Sequence, residues 1–397
     1  MDYIISRRMQ DVKGSMIREL FKVGKKEDMI SFAGGNPSLE AVPVKAIEEI
    51  TQRAFRDNQK DIFMYGLSEG YEPLREILKE RLSKTGIDFS KNDILIVSGA
   101  QQACDLSAKV LLNEGDGVVL EDPTFTGCLN TFRTYGNIIC PVPLKEDGMD
   151  AEALEKELKA HENIKMMYVI PSFQNPTGIV TSLKKRKKLL ELAEKYNFII
   201  FEDDPYGELR FEGEDVPTLK SMDKEGRVIY AGSFSKVMAP AMRVGFMVMP
   251  KLLTEKVTYA KQFTDVHTNS LFQFVCAEFM KSDDYLPHVK KIKKLYEHKA
   301  DVMLKSIKKH FPEEIKVIEP QGGLFMMAFL PDGFDSAHFA KEALAKNVAI
   351  VPQIAFSIDE SRKYTGFRLN FSSETDENIE KGIEILGQLA REALLKK

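Results

Sequence analysis

At 397 residues, with 43% hydrophobic and 29% charged side chains, the chain matches an ordinary soluble globular protein with room for two sizeable cores. Asp and Glu number 60 against 56 Lys and Arg, a formal net charge of −4, so charge makes no case for nucleic acid or an anionic membrane as partner. The four cysteines (Cys104, Cys128, Cys140, Cys276) show no C-x-x-C pairing and the six histidines no ligand spacing, which speaks against disulfides and a structural metal.

The start, Met1 to Arg8, lacks the apolar core of a signal peptide, and no apolar run reaches membrane-spanning length. A cytoplasmic location is expected. Ser31-Phe32-Ala33-Gly34-Gly35-Asn36-Pro37-Ser38 reads as a loop, its glycines permitting close backbone approach. Val44 to Phe55 has helical spacing, Tyr65 to Tyr71 is a glycine-punctuated loop, and Pro73 opens a helix running to about Lys84.

From there apolar runs alternate with helical patterns. Strands are expected at Ile94–Val97, Val118–Leu120, Ile138–Val142, Met166–Ile170, Phe198–Phe201, Val228–Ala231 and Val244–Met249. Between them fall helices to about Leu112, through Thr126 to Thr134, from Asp150 to Ala160 and from Leu183 to Tyr196. The basic run Lys184 to Lys188 lies in the last of these and reads as a solvated helix face. Repeated strand–helix units predict an α/β fold: a mainly parallel, seven-stranded sheet flanked by helices. After Lys251 come long helices over Leu252–Phe279 and Pro287–Lys309. A smaller α+β region follows, with strands at Leu324–Phe329, Val348–Val351 and Phe367–Phe371, a helix at Ser336–Lys346 and a closing helix from Glu374. The expected division is a large domain over 45–285 and a small one made of 1–44 with 286–397.

Unusual residues collect where the strands end, and in an α/β sheet those ends share one rim. Ser98-Gly99-Ala100-Gln101 is a strand-to-helix turn whose free N–H groups favour a phosphate. No G-x-G-x-x-G or G-x-x-x-x-G-K-[ST] occurs, which disfavours a dinucleotide site or a P-loop. Glu202-Asp203-Asp204 could hold a metal, or one carboxylate could face a pyridine nitrogen and keep it protonated. Ser233-Phe234-Ser235-Lys236, with Arg243 seven positions on, offers hydroxyls and a guanidinium for a phosphate and an amine for a carbonyl carbon. Pyridoxal phosphate carries both groups. Arg368, on an apolar strand, needs a ligand carboxylate or an internal acid if it is buried.

Together these motifs, with Ser31-Phe32-Ala33-Gly34-Gly35, Tyr65-Gly66, Asn175-Pro176-Thr177-Gly178, Asp203-Asp204-Pro205-Tyr206 and Phe367-Arg368-Leu369, resemble a class I/II aminotransferase of fold type I. The resemblance is greatest to the branch holding 2-aminoadipate and kynurenine aminotransferases. It implies a pyridoxal 5'-phosphate enzyme, commonly a homodimer, moving an amino group from an amino acid to a 2-oxo acid such as 2-oxoglutarate. It also implies that Lys236 bonds to the cofactor and shuttles a proton, Asp203 pairs with the pyridine nitrogen, and Asn175 and Tyr206 bond the ring hydroxyl. Phe125 would stack on the ring. Gly99, Ala100, Gln101, Ser233, Ser235 and Arg243 would hold the phosphate, with Tyr65 arriving from the neighbouring subunit. Arg368 would clamp the substrate carboxylate beside Gly35 and Asn175, and Arg18 would read a second carboxylate on a dicarboxylic substrate.

Three positions depart from relatives. Phe125 lacks a hydroxyl often found there, Ala100 offers the phosphate only its N–H, and Asn36 replaces a common leucine beside the substrate pocket. Aromatic, long aliphatic and 2-aminoadipate-type donors all fit the residues. Two other outcomes remain open on the same fold: a lyase or decarboxylase, and a non-enzymatic effector-sensing domain. The early position of Ser31 leaves little room for a DNA-binding module ahead of it.

Overall fold

The computed structural model describes residues 4–10, 12, 14 and 28–395. Among the described residues fourteen strands occur in chain order: β1 (Ile30–Ser31), β2 (Asn92–Val97), β3 (Gly117–Asp122), β4 (Ile138–Lys145), β5 (Gly148–Met149), β6 (Ile164–Val169), β7 (Ile199–Asp204), β8 (Val228–Ser233), β9 (Gly245–Pro250), β10 (Lys316–Ile318), β11 (Phe325–Phe329), β12 (Val348–Ala349), β13 (Val351–Pro352) and β14 (Gly366–Asn370). The large sheet runs β2-β9-β8-β7-β6-β3-β4-β5. Strands β3, β4, β6, β7 and β8 are parallel, while β9 runs antiparallel to both β8 and β2.

The sequence explains this arrangement. Strands such as β9, buried at every residue, have no polar face to offer water and must be covered on both sides. The covering helices include Ala100–Leu111, Thr126–Thr134, Ala151–Ala160 and Leu183–Tyr196. Each connects consecutive strands, so the C-terminal ends of β3, β6, β7 and β8 come to one rim. Because β9 is reversed, its start brings Arg243 to that same rim. The seven expected strands are all present; the eighth is the two-residue β5, which pairs only with the end of β4.

The small sheet, β10-β11-β14-β13, is antiparallel and puts Arg368 at its middle. Strand β1 pairs in parallel with β12, Ile30 facing Val348. Among the described residues no helix is long and apolar enough to cross a membrane.

Three expectations need correction. The helical run Leu252–Phe279 is two helices, Lys251–Asp265 and Ser270–Lys281. Apolar periodicity continues across the break, but Val266 sits at φ 63°, a conformation costly for a β-branched residue, and Asn269 starts the next helix by accepting from Phe272 N at 3.1 Å. The strand Val348–Val351 is likewise two short ones, β12 pairing with β1 and β13 with β14. The solvated-face reading of Lys184–Lys188 fails at Arg186, which is fully buried. Its guanidinium donates to Thr181 O, Pro217 O, Pro171 O and Ser172 Oγ at 2.8–3.1 Å, tying the helix to the loop after β6. Charge patterning cannot reveal a cation satisfied by carbonyls.

Candidate active site

Strand alternation decides what Glu202, Asp203 and Asp204 do, because successive side chains leave a strand on opposite faces. Glu202, fully buried, accepts from Leu219 N and Lys220 N at 2.8 Å, and Asp204 accepts from Tyr230 OH at 3.0 Å. Asp203 points the other way. Its Oδ2 accepts from Tyr168 OH at 2.7 Å, while its buried Oδ1 has no partner. Burial, assisted by the nearby Asp204, raises its carboxyl to about 7. A buried carboxylate oxygen without a donor is well suited to a ligand N–H.

Lys236 lies just past β8, half-buried, with Nζ donating to Gly35 O at 2.6 Å and 6.0 Å from the centre of the Tyr206 ring. Burial, then the Arg368 and Arg243 charges, lowers its ammonium to about 8. A neutral amine is therefore within reach near physiological pH. Tyr206 is buried, faces Asn175 through a side-chain hydrogen bond, and packs edge-on against Phe325.

Arg368 is the most heavily desolvated cation of the group, at 2% exposure. Its Nη1 donates to Asn175 Oδ1 at 2.8 Å and its Nη2 to Ala33 O at 2.7 Å; Nε is buried with no partner. The guanidinium carbon lies 4.2 Å from the Phe325 ring centre and 4.9 Å from that of Phe356. Among the described residues no carboxylate pairs with it, and burial lowers it to about 10. A buried, planar fork with an idle donor suits an anionic oxygen.

A second polar group surrounds the start of the helix Ala100–Leu111. Gly99 precedes it at φ 87° and no side chain caps the helix, so the first N–H groups are open to an anion. A Cβ at Gly99 would collide with the Arg243 guanidinium, whose Nη2 donates to Ser98 O at 2.9 Å. Ser233 and Ser235 hydroxyls lie 2.9 Å apart, and Ser235 N donates to Ser233 Oγ at 3.1 Å. The Gln101 amide is turned away toward Thr131 Oγ1 (2.8 Å) and Gly127 O (3.2 Å), leaving this residue's backbone for a ligand. Phe125 closes this side; a Cβ on Gly127 would strike its ring, so only glycine leaves the ring where it is.

Lys236, Asp203, Tyr206, Asn175, Gly35 and Arg368 thus converge, and Gly99, Ala100, Gln101, Ser233, Ser235 and Arg243 form the adjoining cradle. Tyr65 stands apart: it is 89% exposed, with its ring edge-on to His267. Arg18 lies outside the described residues. Sequence reasoning missed Tyr168, Phe325, Phe356 and Gly127. Tyr168 carried a signal, the lone phenol in the otherwise apolar run Met166–Ile170, since a buried Tyr hydroxyl needs a partner. It also missed a Cys/Glu/His group: Cys140, Glu157 and His161 have ligand atoms all within 4.8 Å, which spacing along the chain does not reveal. None of the three belongs to the rim.

Known proteins resemble this chain over nearly its whole length. The profile of the family "Aminotransferase class I and II" matches residues 27–386. Aromatic-amino-acid aminotransferase 1 of Thermococcus litoralis is 40% identical over 98% of this chain and 95% of its own. A crystal structure of Pyrococcus horikoshii kynurenine aminotransferase, in complex with PMP, superposes with TM-score 0.94 at 39% identity, covering 98% of this chain and 97% of that one. LysN, the α-aminoadipate aminotransferase of Thermus thermophilus, superposes with TM-score 0.90 at 34% identity, covering 99% and 98%. It was solved with N-(5'-phosphopyridoxyl)-L-leucine.

The chain belongs to the class I and II aminotransferase family. It has the fold type I scaffold, and its activity is pyridoxal-phosphate-dependent transamination between an amino acid and a 2-oxo acid.

Proposed function

We propose that Lys236, Asp203 and Arg368 are the working residues of this transaminase, with an aromatic, long aliphatic or 2-aminoadipate-type L-amino acid as donor and a 2-oxo acid such as 2-oxoglutarate as acceptor. One observation carries the reading: a buried guanidinium with a free Nε and, among the described residues, no acid partner stands near enough to a lysine to help lower its ammonium to about 8. The two supply what an α-amino acid needs, an anion fork for its carboxylate and a base for its Cα proton.

The residues fit pyridoxal phosphate. Asp203 Oδ1 is free to accept from a pyridine N–H; Asn175 and Tyr206 would hold the ring hydroxyl, and Phe125 would stack on the ring. The phosphate would rest on the Gly99–Gln101 N–H groups with Ser233, Ser235 and Arg243. When bound, the cofactor supplies the electron sink for charge left at Cα. This chain's residues do the rest. Arg368, steadied by Asn175 Oδ1 and Ala33 O, holds the carboxylate and orients the Cα–H bond. Lys236 Nζ would take that proton from Cα and hold it for return. Gly35 O accepts from the same amine at 2.6 Å and would hold Nζ over the site whenever it is free.

The active unit we propose is a cytoplasmic homodimer with domains 45–285 and 1–44 plus 286–397. In support, Tyr65, Leu252 and Phe263 are 89, 93 and 85% exposed, and a second copy would cover them. All four cysteines are free and buried, as suits a reducing compartment. The exposed Tyr65 would then reach the partner's phosphate cradle.

The test is a half-reaction. Holoenzyme is titrated with a panel of amino acids, and donors are those that bleach the cofactor band with stoichiometric release of a 2-oxo acid. Ammonia release without an acceptor would instead mark a lyase. Multiple turnover by Lys236→Ala would sink the assignment of the base.

A further inference from the structure

Behind the turn Ser98-Gly99-Ala100 lies a partly buried polar cluster that neither substrate nor cofactor would touch. Asp265, the last residue of the helix Lys251–Asp265, accepts from Ser98 Oγ at 2.9 Å and from Gln102 Nε2 at 2.8 Å through Oδ2. Its Oδ1 accepts from Lys261 Nζ at 2.7 Å. Lys261 is fully buried, and its other two protons go to Gln102 Oε1 at 3.1 Å and Thr268 Oγ1 at 3.0 Å. Gln102 Oε1 in turn accepts from Ser98 N at 2.7 Å.

Every polar atom of Ser98 is therefore occupied. Its N–H meets Gln102, its hydroxyl meets Asp265 with Thr268 Oγ1 3.3 Å away, and its carbonyl takes Arg243 Nη2. Ser98 is the residue from which the chain turns at φ 87° on Gly99 into the uncapped helix. A loop whose function is to present N–H groups to an anion must be held before the anion arrives. An apolar side chain could fill the slot of Lys261 at lower desolvation cost, so this buried lysine with its partly buried Asp265 makes sense as a specifier of one backbone geometry.

We propose that Asp265, held in place by Lys261, is the positioning residue of the phosphate seat: through Ser98 it fixes both the Gly99–Gln101 N–H groups and the Arg243 guanidinium. The inference rests on the reading that this cradle holds the cofactor phosphate. It adds that the cradle is tied to the helix bearing exposed Leu252, Tyr259 and Phe263, and through Thr268 O and Gln273 to Tyr71 N.

The experiment compares two ligands, pyridoxal phosphate and pyridoxal, on the cofactor-resolved full-length chain, with dissociation constants read from absorbance. Asp265→Asn keeps the shape but turns an N–H₂ toward donors. The expected result is about a tenfold or greater loss of pyridoxal-phosphate affinity with pyridoxal affinity unchanged. Equal losses for both ligands, or no loss for either, would overturn the proposal, since a general loosening of the fold does not distinguish them. If Asp265→Asn does not fold, Ser98→Ala removes the same hydroxyl contact and must show the same selective loss. Arg243→Ala is the reference for the cradle. Should it leave pyridoxal-phosphate affinity intact, the phosphate-seat reading itself is wrong; should it weaken binding while Asp265→Asn does not, only the positioning role fails.

Discussion

Arg368 Nη1 donates to Asn175 Oδ1 at 2.8 Å, joining the middle of the small antiparallel sheet to the loop that follows β6 in the large one. The substrate carboxylate would be gripped where the two sheets meet. Arg368→Lys replaces a planar fork by a point charge that cannot serve Asn175, Ala33 and a ligand together. KM for the amino donor should rise about 10- to 100-fold, the loss of one or two charge-assisted hydrogen bonds. Asn175→Ala in the Arg368→Lys background should cost less than in wild type, because both act on one contact. Steady-state kinetics of the two single variants and the double variant would show additive losses if the reading is wrong.

Tyr168 gives the Asp203 carboxylate its sole hydrogen bond among the described residues. In Tyr168→Phe the carboxyl should rise further above its position near 7, because a donor that stabilises the charged form is gone. A neutral Asp203 pairs poorly with a pyridinium. Cofactor affinity should fall by about 1–3 kcal/mol, and the pH at which the bound cofactor's absorbance shifts should move. An unchanged spectroscopic titration would remove Tyr168 from the site.

Lys236 titrates near 8 because of burial and two guanidinium neighbours. In the cofactor-free chain, pulse labelling of this amine should rise steeply through pH 8, whereas an ordinary lysine does so near 10.4. Removing one neighbour by Arg368→Gln should shift the midpoint upward. Mass spectrometry of the labelled peptide reads both midpoints, and a wild-type midpoint above 10 would refute the assignment.

Stability of the cofactor-free chain should fall as pH rises from about 4.5 to about 8 on account of three buried carboxyls. Burial raises Glu121 to about 8 and Glu202 and Asp203 to about 7, from 4.5, 4.5 and 3.8. Between those limits the folded state binds protons that the unfolded state has released, so unfolding becomes easier with each step up in pH. Glu121 accepts from Ile170 N and Gln174 Nε2, and a glutamine oxygen can accept both. Glu121→Gln should therefore flatten the decline by more than about 1 kcal/mol between pH 5 and 8. Denaturant unfolding at fixed pH intervals measures it; parallel curves for variant and wild type would contradict the argument.

Arg18 is proposed to read a second substrate carboxylate. Arg18→Ala should raise KM for 2-aminoadipate and glutamate about tenfold or more while leaving an aromatic donor unaffected. Equal kinetics for the dicarboxylic donors would dismiss that role.

Much of this site was legible because its members sit at strand ends, where apolar runs give way to hydroxyls, acids and a lysine. The order of strands was not: nothing in Gly245-Phe246-Met247-Val248-Met249-Pro250 says that it runs against its neighbours. Contacts made by backbone were also hidden. Arg186 looked solvated because the four carbonyl and hydroxyl acceptors that satisfy it lie outside its own helix, 5 to 31 residues away, and Val266 looked helical because periodicity carries no φ. Asp203 could be singled out from Glu202 and Asp204 only by the motif it belongs to. Which of the three faces the pocket depends on strand phase, which the acidic triplet does not disclose.

That phase has an evolutionary reading. Glu202 anchors the turn at Leu219 and Lys220, Asp203 faces Tyr168, and Asp204 faces Tyr230, all within three consecutive peptides. Sliding β7 by one residue would send Asp203 into the back of the sheet and present a neighbour with the wrong reach to the pocket. Insertions and deletions should therefore be rare between Ile199 and Asp204, however freely the apolar residues there exchange. Descendants of this scaffold can change substrates by editing loops, but this strand must be inherited whole.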